Sequence, residues 1–299
     1  LLTAAGDGDK DGLDDAWEQR MLERFAPRLI LSQGECDAAP AEFAPGEADP
    51  RALERNGTLY GQVTPWRGEE GAWVEIRYFH LWANDCGRLA HPLDVERVAV
   101  LARAEQPGSP PEQWQGVYWF AAAHEGTVCD GSHGARAEWL GAETAGATVW
   151  VSGGKHAPSR ARRRGGKGCG GDVCRPRRHA MKLRQVMNVG EPGEPLNGAE
   201  WTSSPRWPMK EKMSGDFSPA AVARLKEWDK AKAKSLHNGV VPLQSVVMGG
   251  ERTLRGLETA GSHTGGALGT AREAAGSSVK KGARAVGRAL GAGKEENKK

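Results

Sequence analysis

Residues 72–82 read Ala-Trp-Val-Glu-Ile-Arg-Tyr-Phe-His-Leu-Trp, where Val74, Ile76, Tyr78, His80 and Trp82 alternate with Trp73, Glu75, Arg77, Phe79 and Leu81. Successive side chains of a strand point to opposite faces, so this period predicts a strand and excludes a helix. Five further segments, 58–63, 95–103, 115–123, 147–152 and 181–187, are strand candidates separated by turn residues. A succession of this kind predicts a mainly β chain, a β-sandwich rather than a parallel sheet with crossover helices. Composition agrees: 41 glycines and 17 prolines in 299 residues suit short strands joined by many turns.

Helical signals are confined to the periphery. Ala16, Met21, Leu22 and Phe25 recur near helical spacing and Pro27 follows, so a short helix is expected over 13–25. Ser218-Pro219 reads as an N-cap with proline at the first helical position, opening a helix over 218–234 with Val222, Leu225 and Trp228 on one side. The expected organisation is a calcium-binding loop and helix over 1–31, a β-sandwich domain over 58–248 with the helix docked on it, and a flexible basic tail over 249–299. Residues 32–57, rich in Pro, Gly, Ala and acids, read as an irregular connection. The tail has too few large apolar residues for a core, though Val279, Ala283, Val286 and Leu290 recur at helical spacing among basic residues.

The strongest chemical signal is Asp7-Gly-Asp9-Lys-Asp11-Gly12-Leu13-Asp14-Asp15-Ala-Trp-Glu18. It matches the twelve-residue EF-hand loop: carboxylates at the first, third, fifth and ninth positions, glycine at the sixth, glutamate at the twelfth. A hard cation takes about six to eight oxygens, the glycine allows a sharp bend, and the glutamate can give two oxygens from the helix. Asp7, Asp9, Asp11, Asp15, Glu18 and the backbone carbonyl of Leu13 are the expected ligands, and Ca2+ the expected ion. No matching helix precedes the loop, so it would be half an EF-hand; it resembles the single-loop calcium motifs of secreted bacterial proteins. The competing reading is an acidic helix start that only caps the helix.

Other features bear on location and partners. The net charge is only +3, but basic residues gather at 160–184 and near the C-terminus. Arg160-Ala-Arg162-Arg163-Arg164 could meet phosphate, yet no aromatic residues alternate with these bases, which disfavours nucleic acid. No stretch of about 20 apolar residues is present, so no transmembrane segment is expected. Leu1 to Ala5 fit the stub left by signal-peptide cleavage, which with oxidised cysteines would suit a secreted or cell-envelope protein. The five cysteines allow Cys169–Cys174 and Cys86–Cys129 disulfide bonds, with reduced thiols as the alternative.

A second polar set lies in the middle of the chain. Asp94 and Glu96 flank Val95 at the start of a strand and should share a face about 7 Å apart. Two neighbouring carboxylates repel unless a cation or proton lies between them. His80, His91, His124 and His156 fall at or near strand ends, so the set could hold a divalent metal or perform acid–base chemistry. A salt bridge to Arg88 or Arg97 is the plain alternative.

His91-x-x-Asp94-x-Glu96, with the later segments Ala122-Ala-His124-Glu125-Gly126 and Val149-Trp-Val-Ser-Gly-Gly-Lys155-His156-Ala157, resembles the necrosis- and ethylene-inducing-like proteins and their vacuolar protein sorting-associated cousins. Those proteins carry Gly-His-Arg-His-Asp-Trp-Glu before a strand; His91, Asp94 and Glu96 match its first histidine, aspartate and glutamate, while Leu93 and Val95 replace the second histidine and the tryptophan. The resemblance implies a β-sandwich with a divalent cation, Mg2+ or Ca2+, in an acidic pocket, and in the toxin branch docking on glycosylated membrane lipids. The expected metal residues of this second site are therefore His91, Asp94, Glu96, His124 and His156. Two functions follow as expectations: a secreted calcium-binding sandwich that binds a glycan, lipid head group or envelope surface, or a metal-assisted hydrolase using Asp94, Glu96 and nearby histidines.

Overall fold

The computed structural model describes residues 6–32, 37–85, 91–123, 125, 130–151, 178–207, 209–227, 236–238 and 246–248. All five cysteines, His124, His156, the basic segment 160–167 and the tail 249–299 lie outside them, and so do the expectations placed on those residues.

The chain opens with helix α1 (Asp15–Arg24). Asp14 caps it by accepting the Trp17 amide, acids at Asp15 and Glu18 face the positive end of the helix dipole, and Arg24 sits in the last turn. The helix starts at Asp15 rather than at residue 13, because the amide of Leu13 donates to the Asp11 carboxylate in the preceding loop. The strands follow in order: β1 (Arg28–Ser32), β2 (Glu42–Phe43), β3 (Ala52–Glu54), β4 (Thr58–Pro65), β5 (Ala72–Asp85), β6 (His91–Ala104), β7 (Gln115–Ala121), β8 (His133–Arg136) and β9 (Thr148–Val151). Then come β10 (Arg178–Ala180), β11 (Gln185–Asn188), β12 (Gly190–Glu191), β13 (Glu194–Pro195), β14 (Leu236–Asn238) and β15 (Val246–Val247).

Seven strands form one sheet in the order β11-β4-β5-β6-β7-β8-β15, and four form a second in the order β10-β1-β9-β14. From β4 to β8 the large sheet is an antiparallel meander, to which β11 adds in parallel beside β4. The core between the sheets joins Leu29, Leu31, Val149, Val151 and Leu236 of the small sheet to Ile76, Tyr78, Trp82, Val98, Val100 and Trp119 of the large one. Met21, Leu22 and Phe25 of α1 belong to the same cluster. Each such side chain contributes roughly 1.5–3 kcal/mol when taken from water. The sandwich expected from strand spacing is therefore present.

The outer face of the large sheet is covered as well. Tyr60, Phe79 and Leu81 pack with Phe43, Trp201 and Trp207, and Phe120, Leu101 and Trp73 pack with Phe217, Val222 and Leu225. Two of these come from helix α4 (Pro219–Glu227), which follows α2 (Ala137–Leu140) and α3 (Met209–Lys212) among the described residues, with the Ser218 hydroxyl accepting the Ala221 amide. Burial on both faces makes residues 72–82 buried throughout, although their sequence alternates.

Several boundaries differ from the sequence reading. The segment 181–187 is not one strand: β10 ends at Ala180 and β11 begins at Gln185. The strand expected at 95–103 begins at His91, with Leu93 at φ 61 interrupting it. Strands β1 and β8 were not among the candidates, and the connection 32–57 contains the pair β2–β3, whose Phe43 amide donates to the Tyr60 hydroxyl. Among the described residues no helix is long and apolar enough to cross a membrane.

Candidate metal centre

The loop before α1 is shaped by its own carboxylates. Gly12, at φ 96, takes the bend and donates its amide to Asp7 Oδ2 at 3.2 Å, while Leu13 N–H donates to Asp11 Oδ1 at 2.7 Å. Gly8 N–H donates to both oxygens of Asp15, at 3.0 and 3.1 Å, and the Asp15 amide donates back to Gly6 O at 2.7 Å. These bonds fold the loop over the first turn of the helix.

The result is a concentration of carboxylate oxygens. Asp7, Asp9 and Asp15 offer oxygens within 4.8 Å of one another, and so do Asp9, Asp11 and Glu18, with Asp9 common to both sets. Glu18 is 0% exposed and Asp9 is 3% exposed. Glu18 Oε1, both oxygens of Asp9, Asp7 Oδ1 and Asp11 Oδ2 are buried without a hydrogen-bond partner. Glu18 Oε2 is held by Asn188 Nδ2 from the end of β11, at 3.1 Å.

The electrostatic strain shows in the acidities. Burial, then the charges of Asp11 and Asp15, push Asp9 up to about 7. Burial pushes Asp11 up to about 6, and burial together with the charges of Asp9 and Asp11 pushes Glu18 up to about 10. Two carboxylates about 5 Å apart repel by about 3 kcal/mol at an effective dielectric near 20. A helix cap needs one carboxylate, and Asp14 already supplies it. The remaining acids have an arrangement that a hard divalent cation would relieve, since each orphaned oxygen is a potential ligand. Of the six expected ligands, the five carboxylates come together; Leu13 sits partly buried against the core beside them, its amide on Asp11. Asn188 lies far along the sequence, and no local pattern announced it.

The central set is less convergent. His91 is exposed at the start of β6, and its Nε2 lies 3.4 Å from Asp85 Oδ2, its partner across β5. Asp94 is half-buried and accepts the Val95 amide at 2.9 Å. Glu96 is buried opposite His80, whose Nδ1 accepts Trp82 Nε1 at 3.0 Å. Burial and the neighbouring Asp94 push the Glu96 carboxyl well above the usual carboxylate range, against the opposing charge of Lys212. Among the described residues, Asp94 and Glu96 join no set of three metal-ligating groups within 4.8 Å. The salt bridge considered for Arg97 goes elsewhere: Arg97 clamps Asp216 through Nε at 2.9 Å and Nη2 at 2.7 Å, and Nη2 also meets Glu125 at 2.8 Å. Arg97 follows Glu96 directly, so in a strand the two point to opposite faces.

No family model matches this chain, and no curated protein matches it. Solved structures do. NLPPya in complex with glucosamine is 17% identical, with 62% of this chain and 79% of that one covered and a TM-score of 0.35. NLPPya in complex with mannosamine is 16% identical, covering 66% of this chain and 86% of that one at a TM-score of 0.35. A structure described as a toxin fold for microbial attack and plant defense is 16% identical, covering 62% and 80% at a TM-score of 0.36. The chain is a mainly β protein with a distant resemblance to the necrosis- and ethylene-inducing-like proteins.

Proposed function

We propose that residues 7–18 bind one calcium ion and that the ion fastens the N-terminal segment to an exported β-sandwich. The observation that carries this reading is the set of buried, unpartnered oxygens on Asp7, Asp9, Asp11 and Glu18, gathered among like charges. Oxygen-only donors select a hard cation over zinc or copper. A panel of Ca2+, Mg2+ and Zn2+ against chelator in thermal unfolding tests it: calcium should raise Tm most, and equal Tm values in calcium and chelator would reject the site.

The second part of the reading is that the sandwich docks on a glycan or lipid head group through the strand end carrying Asp85, His91 and Asp94. What supports it is local: an exposed imidazole beside a buried carboxylate, and a half-buried aspartate, at one end of β5 and β6. Binding to amino-sugar and glycolipid arrays should fall at least tenfold in a His91→Ala, Asp94→Asn variant. Silence of the wild-type protein on such arrays would remove this part and leave the calcium site standing. The hydrolase alternative uses Asp94, Glu96 and nearby histidines; burial and then the charge of Asp94 push the Glu96 carboxyl well above the usual carboxylate range, so that it keeps the proton a general acid requires. Metal-dependent turnover on an ester, phosphoester or glycoside panel, abolished by Glu96→Gln, would favour it.

A further inference from the structure

The segment 188–194 lies against the flank of the acidic loop. Asn188 Nδ2 donates to Glu18 Oε2 at 3.1 Å, its backbone amide donates to Gln19 Oε1 at 3.3 Å, and its Oδ1 accepts the Gly190 amide at 3.1 Å. Lys10 Nζ reaches Glu194 Oε1 at 2.6 Å, and a Cβ on Gly8 would meet Leu196 Cδ2 at 2.9 Å. Glu191 lies in this same segment with Oε1 buried and unpartnered; burial pushes its carboxyl above the usual carboxylate range, and Arg77 and Gln62 pull against that shift. Its charge helps to raise Asp11, and the charge of Asp9 in turn helps to raise Glu191. Glu191 belongs to neither triad of close oxygens, which places it outside direct coordination.

We propose that the cation site is shared by two distant segments: Asn188 positions Glu18 so that Oε1 points free, and Glu191 acts on the ion from the outer sphere as a sixth carboxylate. The ion then staples residues 7–18 to the β11–β12 turn and the β12–β13 hairpin. An outer-sphere carboxylate holds a water ligand by hydrogen bond, a role that calcium loops commonly give to one position. The independent pointers to an ion are the two most buried acids of the loop, Glu18 and Asp9, with oxygens left unpaired inside it.

This inference rests on the calcium reading, and one pair of measurements separates the two. Calorimetric titration of the full chain with CaCl2 should show Glu191→Gln binding about fivefold more weakly than wild type, whereas Glu143→Gln, an exposed acid outside the loop, should bind as wild type does. Hydrogen exchange should show calcium protecting the amides of 188–194 in the wild-type protein, and Asn188→Ala losing both that protection and affinity while keeping its exchange in the β5–β6 core. If wild type binds no calcium, the underlying site is wrong. If wild type binds and Glu191→Gln stays within twofold, or calcium leaves exchange at 188–194 unchanged, the two-segment site is overturned.

Discussion

Glu18 and Arg97 are both fully buried ionisable residues, and they are stabilised in different ways. Arg97 has its partners within the protein: a bidentate pair with Asp216, a second contact with Glu125, and the Lys212 carbonyl at 2.7 Å. Arg97→Leu would leave Asp216 and Glu125 without their common counter-charge and should cost about 3–5 kcal/mol in denaturant unfolding. The Glu18 carboxylate accepts from Asn188 through Oε2, while Oε1 is buried without a hydrogen-bond partner among the described residues and Asp9, Asp11 and Asp15 lie around it. With an acidity near 10 it is protonated at neutral pH without a cation, so Glu18→Gln should leave Tm in chelator almost unchanged. The same variant should lose calcium affinity by at least tenfold in calorimetry, since the twelfth-position glutamate supplies up to two oxygens.

At the scale of elements, legibility followed local pattern. The clustering of the acidic loop could be read because its carboxylates, its bend and its helix start are adjacent in sequence, and the long strands β5 and β6 because their runs are long. Strand β8, four residues with Gly134 inside, carries no period of its own and exists because Trp119, Ala121 and Met248 pack around it. The helix–strand joint at Ala26 was equally silent: a Cβ on Gly146 would overlap the Ala26 carbonyl, so Gly146→Ala should push β1 and β9 apart. We expect that substitution to lower stability by about 2 kcal/mol or more in denaturant titration. The central polar set was only partly legible, since spacing put Asp94 and Glu96 on one strand but could not show that β6 starts at His91, that Asp85 faces His91, or that Arg97 turns away to Asp216.

Over the whole molecule, two opposed titrations set the pH response. His133 is buried, its Nδ1 on the Gly131 carbonyl and its Nε2 accepting the His237 amide, and burial lowers it to about 4. Its folded value lies below the unfolded one, so stability is lost as pH falls from about 6.5 toward 4. Asp9, Asp11 and Glu18 are shifted the other way, to about 7, 6 and 10. Their folded values exceed the unfolded ones, so in chelator the stability they contribute below pH 4 drains away as pH rises through 6, 7 and beyond. Melting in chelator should therefore fall between about pH 7.5 and 8.5, where His133 is neutral in both the folded and the unfolded chain. In excess calcium the slope should vanish or reverse, because the ion requires the deprotonated carboxylates. The most direct test is calorimetric titration of the full chain with CaCl2 at pH 7.5. One ion per chain, with proton release that grows as the starting pH is lowered, is the predicted result; no heat, and a Tm indifferent to chelator, would contradict it.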